Sequence, residues 1–461
     1  MSTTEVSMFT GTAALDEYVA AIKNEPQWLA HFRADALKKF NAAQWPDSSA
    51  DEEWRRSDIS FIDFDGLQYG LPPAPSQPVQ VAETGKTAPA GALAEMAGPE
   101  VPLQDLSGYV AYMNCDPITA AINPELTENG VAVYTLDDIR RGRLTDQQSA
   151  AVEKSLRASL ELADTKPQFW HYALMDAVSV VILPRFAEIK APFLIDHLFS
   201  GEDVVRSPHV VVISEDGARA TVVERFRSAN EDDATVITHG IDGITARGAG
   251  VDYVLVQELN MESTLLRFGR MDVEQESRMH HFEAHFGGDF VKGRIEADMH
   301  GAGTDVVLNG VYFGSEEQHF DMRTVQRHIG RNANSQTFYK GAVRDEARSI
   351  YQGLIEVRPT ASLTDAYLTN NNLVLNDGAR AESIPTLEIK NNDVKCSHGS
   401  TTGKIEPSYM FYLESRGFDP IEAKALLVEG FFDEVAVQAP DFVQQQLRVL
   451  VMDRLQRELE E

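Results

Sequence analysis

Cysteine is nearly absent from this chain, because its 461 residues include only Cys115 and Cys396. Two thiols cannot build a disulfide framework in a protein of this length, and we expect both to be reduced. Basic residues are also few, with 41 Lys and Arg against 71 Asp and Glu, so the formal net charge is -30. Such a surface repels phosphate groups and anionic lipids, which argues against nucleic acid and membrane surfaces as partners.

Long hydrophobic runs are missing as well. The most apolar one, Ala177–Leu183, ends at Pro184 and is far shorter than the roughly 20 residues that span a bilayer. The first residues, MSTTEVSMFTGTAALDEYVAAIK, lack the basic and then apolar pattern of a secretory signal, and they do not suggest a transit peptide. We therefore expect a cytoplasmic protein.

Helical signals dominate the first 170 residues. Apolar residues recur every three or four positions around residues 15–22 and 28–40, and again across residues 146–162. Between about residues 70 and 102 the chain is rich in Pro and Ala, a composition that favours a linker. The pattern predicts a helical N-terminal domain over residues 1–170 with this linker inside it.

A mainly β core is predicted for residues 171–403. From about Val178, short stretches with a period of two follow one another, separated by Gly, Asp, Asn and Ser. A sandwich, a barrel and a β-solenoid all fit this pattern, and no strict sequence repeat decides among them.

The last segment, residues 404–461, reads as helical again. Gly417 would end one helix, and Asp419, Pro420 and Glu422 have the spacing of a helix N-terminus with a capping box. Two apolar stripes follow, one before and one after Pro440. These stripes need a surface to pack on, and we expect them to cover part of the end of the β core.

Residues 370–403 closely resemble the signature stretch of the SufB and SufD family of iron-sulfur cluster assembly proteins. The matching elements are the Asn-rich turn at 370–372, PTLEI at 385–389, DVKCSHG at 393–399 and FYLESRGF at 411–418. Weaker similarity extends back through SQTFYKGAVRD at 335–345, His328, Asp321, residues 169–184 and EEWRRSDI at 52–59.

Two positions favour the SufD branch of this family over the SufB branch. SufB has a cysteine where this chain has Asn370, and an acid-His-acid sequence where this chain has Ser397, His398 and Gly399. The resemblance implies a right-handed parallel β-helix core that pairs with a SufB-like subunit. It also implies a C-terminal helical domain that docks a SufC-type ABC ATPase, and a scaffold role without catalytic residues.

Cys396 and His398 are the candidate site residues. Two positions apart on a strand, they would face the same side, and a thiolate beside an imidazole can bind iron or zinc. Alternatively, Cys396 packs as a small hydrophobe and His398 makes an ordinary hydrogen bond. The resemblance implies that His398 takes part in forming the nascent cluster at the interface with SufB. Because a cluster usually takes four ligands, the others would come from a partner, and the isolated chain would hold no tightly bound cofactor.

Other patterns are weaker. His281, Glu283 and His285 would share a strand face, which makes a metal site conceivable, but an exposed face of His and Glu needs no function. Cys115, placed in the helical part, is expected to be a packed structural residue. The GAG at 301–303 suggests a turn. The GSTTGK at 399–404 has one residue too few for a phosphate-binding loop, so we expect no nucleotide binding and no enzyme activity.

Three alternatives remain open at this point. The chain could be a SufB-like subunit that carries the cluster itself, although its few cysteines argue against this. It could be a β-solenoid enzyme acting on a carbohydrate, although no paired carboxylates stand out. It could also form a homodimer, since the edge of a β-helix can pair with a copy of itself.

Overall fold

The structure is a computed structural model that describes residues 9–70, 81–83 and 106–456, with the backbone alone for 81–83 and 456. Apart from Gly70 and residues 81–83, the linker predicted near residues 70–102 lies outside these ranges. Within them, no helix is both long enough and apolar enough to cross a membrane.

The N-terminal part combines helices with short strands. The helices are a 3-10 turn at Thr12–Ala14, α1 (Leu15–Ala21), α2 (Gln27–Ala42), α3 (Pro124–Glu128), α4 (Leu136–Arg140), α5 (Asp146–Leu162) and α6 (Lys166–Leu174). The strands are β1 (Phe9–Thr10), β2 (Gln68–Tyr69), β3 (Val81–Glu83), β4 (Gly108–Met113), β5 (Asp116–Ile122) and β6 (Ala132–Thr135). The helices predicted from the apolar stripes are present. The strands between residues 108 and 135 were not predicted, and they extend the sheets of the core.

The core consists of regularly spaced strands, most of them about ten residues long. They are β7 (Ala177–Leu183), β8 (Phe193–Phe199), β9 (Val204–Arg206), β10 (Pro208–Ser214), β11 (Arg219–Ser228), β12 (Thr235–Thr245), β13 (Gly250–Glu258), β14 (Thr264–Val273), β15 (Arg278–His285), β16 (Phe290–Met299), β17 (Asp305–Gly314), β18 (His319–His328), β19 (Asn334–Val343), β20 (Arg348–Val357), β21 (Thr364–Val374), β22 (Arg380–Ile389) and β23 (Val394–Gly403).

Successive strands alternate between two parallel sheets. Sheet A runs in the order β9-β12-β14-β16-β18-β20-β22, and sheet B in the order β8-β11-β13-β15-β17-β19-β21-β23. From β10 to β21, each strand pairs with the strand two positions later in the chain, so the backbone winds as a parallel β-helix of about eight turns. The predicted fold class is therefore confirmed, and the strand order selects the solenoid from the three architectures that the period of two allowed.

The interior of the solenoid is a continuous core formed by alternate residues of both sheets. Large and small side chains are matched between neighbouring turns. Tyr312 in β17 lies against Gly341 in β19, where an added Cβ would come within 2.0 Å of the tyrosine ring. Only glycine at position 341 therefore leaves space for Tyr312.

The N-terminal helices cover the outer face of sheet A. Phe32 of α2, Leu156 of α5 and Trp170 of α6 belong to one buried cluster with Leu266 of β14. Arg33 connects two of these helices, because its Nη1 donates to Ala173 O at 3.0 Å and its Nη2 to Met175 O at 3.0 Å. These bonds satisfy carbonyl groups at the end of α6 that have no partner within the helix.

The C-terminal helices are α7 (Pro407–Ser415), α8 (Pro420–Ala436) and α9 (Asp441–Gln456). The predicted capping box is confirmed, because Asp419 accepts bonds from the backbone of Ile421 and Glu422, and Glu422 accepts one from Asp419 N. The apolar stripes of α8 and α9 do not cover the end of the core as expected. They pack on the outer face of sheet B, whose apolar residues include Val256, Phe282 and Phe313.

Candidate functional site

Cys396 and His398 lie on β23, the last strand of sheet B. In the parallel register, Cys396 is opposite Ala366 and His398 is opposite Leu368 of β21. Ala366 and Leu368 are buried in the solenoid interior. Because alternate residues of a strand face the same side, both candidate side chains point toward the interior at this end, as the spacing predicted.

This end of the solenoid is open. Within the described part of the chain, no strand pairs with the outer edge of β22 or β23. Cys396 is half-buried and packs against the interior core, whereas His398 is exposed. A group that approaches the open end can therefore contact the imidazole directly, with the thiol beside it.

The surroundings of Cys396 keep its thiol protonated. Burial raises the pKa of the thiol above its ordinary value, and the nearby carboxylate of Asp365 raises it further. The thiolate is the form that binds metals, so binding requires a metal ion or a base that removes the proton. The imidazole of His398 is two residues away on the same face of β23.

Cys396 and His398 do not form a complete metal site. In the described ranges, no third His, Cys, Asp or Glu joins them in a group compact enough to hold an ion. Bound iron or a cluster would therefore need ligands from a second chain.

A compact group of potential ligands occurs elsewhere, on sheet A, and consists of Asp272, Asp298 and His300. His300 Nε2 lies 2.8 Å from Asp272 Oδ1. Arg270 donates to Asp272 at 2.6 Å and to Asp298 at 2.9 Å, and Arg327 also binds Asp298. Because two guanidinium groups already neutralise these carboxylates, the group is an ion-pair network and is poorly suited to a metal.

The sequence suggested that His281, Glu283 and His285 share an exposed strand face. The structure shows that this is wrong. All three side chains are buried in the solenoid interior. Arg267 forms an ion pair with Glu283, the Tyr339 hydroxyl donates to the same carboxylate at 2.6 Å, and His281 Nε2 lies 3.3 Å from it. The guanidinium of Arg267 already supplies the positive charge that a metal ion would bring to Glu283. The arrangement therefore does not support a metal site.

Cys115 lies in the tight turn between β4 and β5, not in a helix. Its side chain is buried, as expected for a packed residue, although its φ of +70° is unusual for a residue other than glycine. Burial raises the pKa of its thiol well above the ordinary value, and Asp176 adds to this effect. Cys115 is far less accessible to a partner than Cys396.

The two glycine motifs have ordinary structural roles. Residues 301–303 form a turn, as predicted, with Gly303 at a φ of +73°. Residues 399–403 belong to strand β23, and Lys404 forms an ion pair with Asp377. This segment is a strand and not the loop of a phosphate-binding site, and the next helix begins only at Pro407, after the lysine.

The structure also shows a surface that the sequence reading missed. Helix α7 has no buried residue, and Tyr409, Phe411 and Tyr412 are 57%, 73% and 55% exposed. The sequence signal is a short helix with three aromatic residues among four positions, Tyr409, Phe411 and Tyr412. Clustered exposed aromatic side chains are typical of protein interfaces.

Comparison with known proteins adds to this geometry. Residues 197–431 match the family described as "SUF system FeS cluster assembly, SufBD core domain". The protein named iron-sulfur cluster assembly protein SufD in Escherichia coli is 28% identical over 69% of this chain and 79% of its own length. SufD of Bacillus subtilis is 25% identical over 93% of this chain and 94% of its own length. A SufBD family protein of Mycobacterium bovis is 29% identical over 57% of this chain and 67% of its own length.

The matched core domain includes most of the solenoid, β23 with Cys396 and His398, and the exposed helix α7. It spans just over half of the chain, and the alignment with SufD of Bacillus subtilis covers most of the rest. This chain therefore belongs to the SufBD family of iron-sulfur cluster assembly proteins.

Proposed function

We propose that this chain is a non-catalytic scaffold subunit, SufD-like in role, that pairs with a SufB-like subunit and docks a SufC-type ABC ATPase. The observation that carries the proposal is the uncovered end of the solenoid. The outer faces of sheets A and B are covered by the N-terminal and C-terminal helices, whereas neither β22 nor β23 has a fully buried residue.

Edge strands of this kind are suited to pairing with another β-helix. Each presents a row of backbone N–H and C=O groups that a neighbouring strand can bind. A second copy of this chain offers the same edge, so a homodimer is the alternative when a SufB-like subunit is missing.

Pairing would bring further ligands to the site. His398 and Cys396 contribute at most one imidazole and one thiolate, and the partner would supply the remaining ligands of a cluster. The cluster is the product of assembly, held only transiently, and the isolated chain would bind no cofactor tightly. We propose His398 as the more important of the two residues because it is exposed at the open end.

Docking of the ATPase is assigned to the aromatic surface of α7. Exposed Tyr and Phe side chains supply large contact areas at interfaces, and α7 lies directly after β23 in the chain. ATP hydrolysis would take place in the docked ATPase, since the GSTTGK segment of this chain lies in a strand and does not form a nucleotide-binding loop. Its effect on the open end would come from the ATPase bound beside that end.

Substitution of α7 tests this proposal. The double variant Phe411→Ala/Tyr412→Ala should weaken binding of the SufC-type ATPase at least tenfold, measured by calorimetry with purified subunits. Its melting temperature should stay close to that of the original chain because neither ring is buried. Phe186→Ala is the matched control, since Phe186 is 75% exposed but follows β7 at a distant corner of the solenoid. Equal ATPase affinity of the double variant and the control would contradict the docking assignment.

A further inference from the structure

The EEWRRSDI motif at residues 52–59 forms a compact segment on the outer face of sheet A. We call residues 53–57 the strap. Two tight turns fold it, with Trp54 N donating to Asp51 O at 3.0 Å and Ser57 N donating to Trp54 O at 2.9 Å. Trp54 is buried, and the Lys292 ammonium of β16 lies 4.7 Å from the centre of its ring. Trp54 is therefore as buried as a residue of the core, and it fixes the strap on the solenoid.

A fully buried carboxylate anchors the middle of the strap. Asp321 of β18 accepts hydrogen bonds from the Ser57 hydroxyl, from Lys292 Nζ at 2.5 Å and from Gln352 Nε2 of β20 at 3.2 Å. Burial alone would raise the pKa of Asp321, but the ammonium of Lys292 and these hydrogen bonds hold it below the ordinary value. One ionised carboxylate thus connects the strap to three neighbouring strands of sheet A.

The start of the strap has a second anchor. Glu53 Oε2 lies 3.1 Å from Arg294 Nη1 of β16 and 3.0 Å from Arg323 Nη1 of β18. Lys292 Nζ also donates to the Glu53 carbonyl at 3.1 Å. The contacts of Glu53 and Ser57 thus attach the strap to β16 and β18, and through Asp321 to β20.

From this fixed base, Arg56 reaches the edge of the sheet. Its Nε donates to Glu382 Oε2 of β22 at 2.9 Å, and Arg348 Nη2 of β20 donates to Glu382 Oε1 at 2.6 Å. Within the described residues, β22 has a backbone partner only on the β20 side. Arg56 therefore adds a side-chain ion pair to a strand whose backbone is hydrogen-bonded on one side.

We infer that the strap positions β22 for pairing with a second β-helix. Arg56 is the positioning residue, because its ion pair with Glu382 connects the strap to this edge. The inference rests on the proposed pairing with a SufB-like subunit. An edge strand that frays must be ordered before it can pair, and this ordering lowers the affinity of the complex. The Arg56 to Glu382 ion pair reduces fraying and keeps the edge ready to bind.

Hydrogen exchange in the full-length chain tests this role. Arg56→Ala should increase amide exchange of residues 380–389 about two- to fivefold, the range expected for a partly exposed ion pair, with residues 319–328 unchanged. The same variant should weaken pairing with the SufB-like subunit by a similar factor. Arg55→Ala is the matched control, since Glu52, itself exposed, is the one ion-pair partner of Arg55 among the described residues, and this variant should change neither quantity.

The inference can be overturned by the exchange data or by the pairing data. In the exchange data, the contradicting result is unchanged exchange of residues 380–389 in Arg56→Ala, or an equal increase in Arg55→Ala. In the pairing data, it is an unaltered affinity despite faster exchange, which would reduce the strap to a local stabiliser. An original chain that does not pair at all contradicts the proposed function before any substitution is made, so the two failures are distinguishable.

Discussion

Cys115 and Cys396 carry the same thiol in different surroundings. In both, burial raises the pKa, and a nearby carboxylate raises it further. Cys115 is enclosed in a turn, whereas Cys396 is half-buried at an open end beside the exposed His398. Access, more than the acidity of the thiol, therefore distinguishes the packing residue from the candidate ligand.

Replacement of His398 should impair cluster assembly without affecting folding. The side chain is exposed, so His398→Ala should change the free energy of unfolding by no more than about 0.5 kcal/mol. The visible absorbance of the cluster, followed in the reconstituted three-subunit complex, should rise more slowly. Cys396→Ser should have a milder effect.

Ser397→Ala is the control for this prediction, because Ser397 lies between the two candidates on the same strand and faces the other way. A normal assembly rate in His398→Ala, or a melting temperature lowered by many degrees, would show that the histidine is structural.

At the scale of elements, the three C-terminal helices have two separate roles. Helices α8 and α9 bury their apolar residues on sheet B, while α7 exposes its aromatic residues. From the sequence alone, removal of the tail from Gly417 onward would be expected to abolish docking and leave the β core intact. The packing on sheet B changes this expectation, since the deletion would uncover a broad apolar face.

We therefore predict that deletion of residues 417–461 destabilises the whole protein. Uncovering Phe282, Phe313 and Val256 removes the burial of several large side chains, each of which contributes about 1.5–3 kcal/mol. Thermal denaturation and size-exclusion chromatography should show a much lower melting temperature and aggregation. The α7 double variant serves as the comparison, since it should disturb docking alone. A monomeric truncated chain that melts at the original temperature would contradict this view.

Across the whole molecule, buried imidazoles make stability dependent on pH. Burial lowers the pKa of His239, His281, His319 and His328 to about 4. In the unfolded chain these side chains take up protons near pH 6.5, so the unfolded state binds more protons between pH 6.5 and 4. The free energy of unfolding should therefore decrease as the pH is lowered through this interval.

His328 gives the clearest test, because burial is the only cause of its shift. Its Nε2 lies 2.8 Å from the Ser335 hydroxyl. In His328→Gln, the loss of stability between pH 6.5 and 4, measured by denaturant titration at several pH values, should be smaller than in the original chain. An unaltered slope in His328→Gln would mean that this imidazole is protonated in the folded protein.

Local patterns were sufficient for much of the secondary structure. The period of two predicted the strands, and the spacing of Asp419, Pro420 and Glu422 predicted the start of α8, because both depend on neighbouring residues. The exposed or buried state of His281, Glu283 and His285 could not be predicted. Alternation shows that they share a face, but which face is interior depends on how the strand is placed in the solenoid.

By itself, the sequence determined the β-rich core with flanking helices, the family resemblance and the shared face of Cys396 and His398. Only the tertiary structure decided that the solenoid has one open end, that α8 and α9 cover sheet B, and that Arg56 reaches β22. The physical reason is the range of the interactions. Alternation and capping act over a few residues, whereas solenoid closure, an unpaired edge and an ion pair between positions 56 and 382 exist only after distant segments meet.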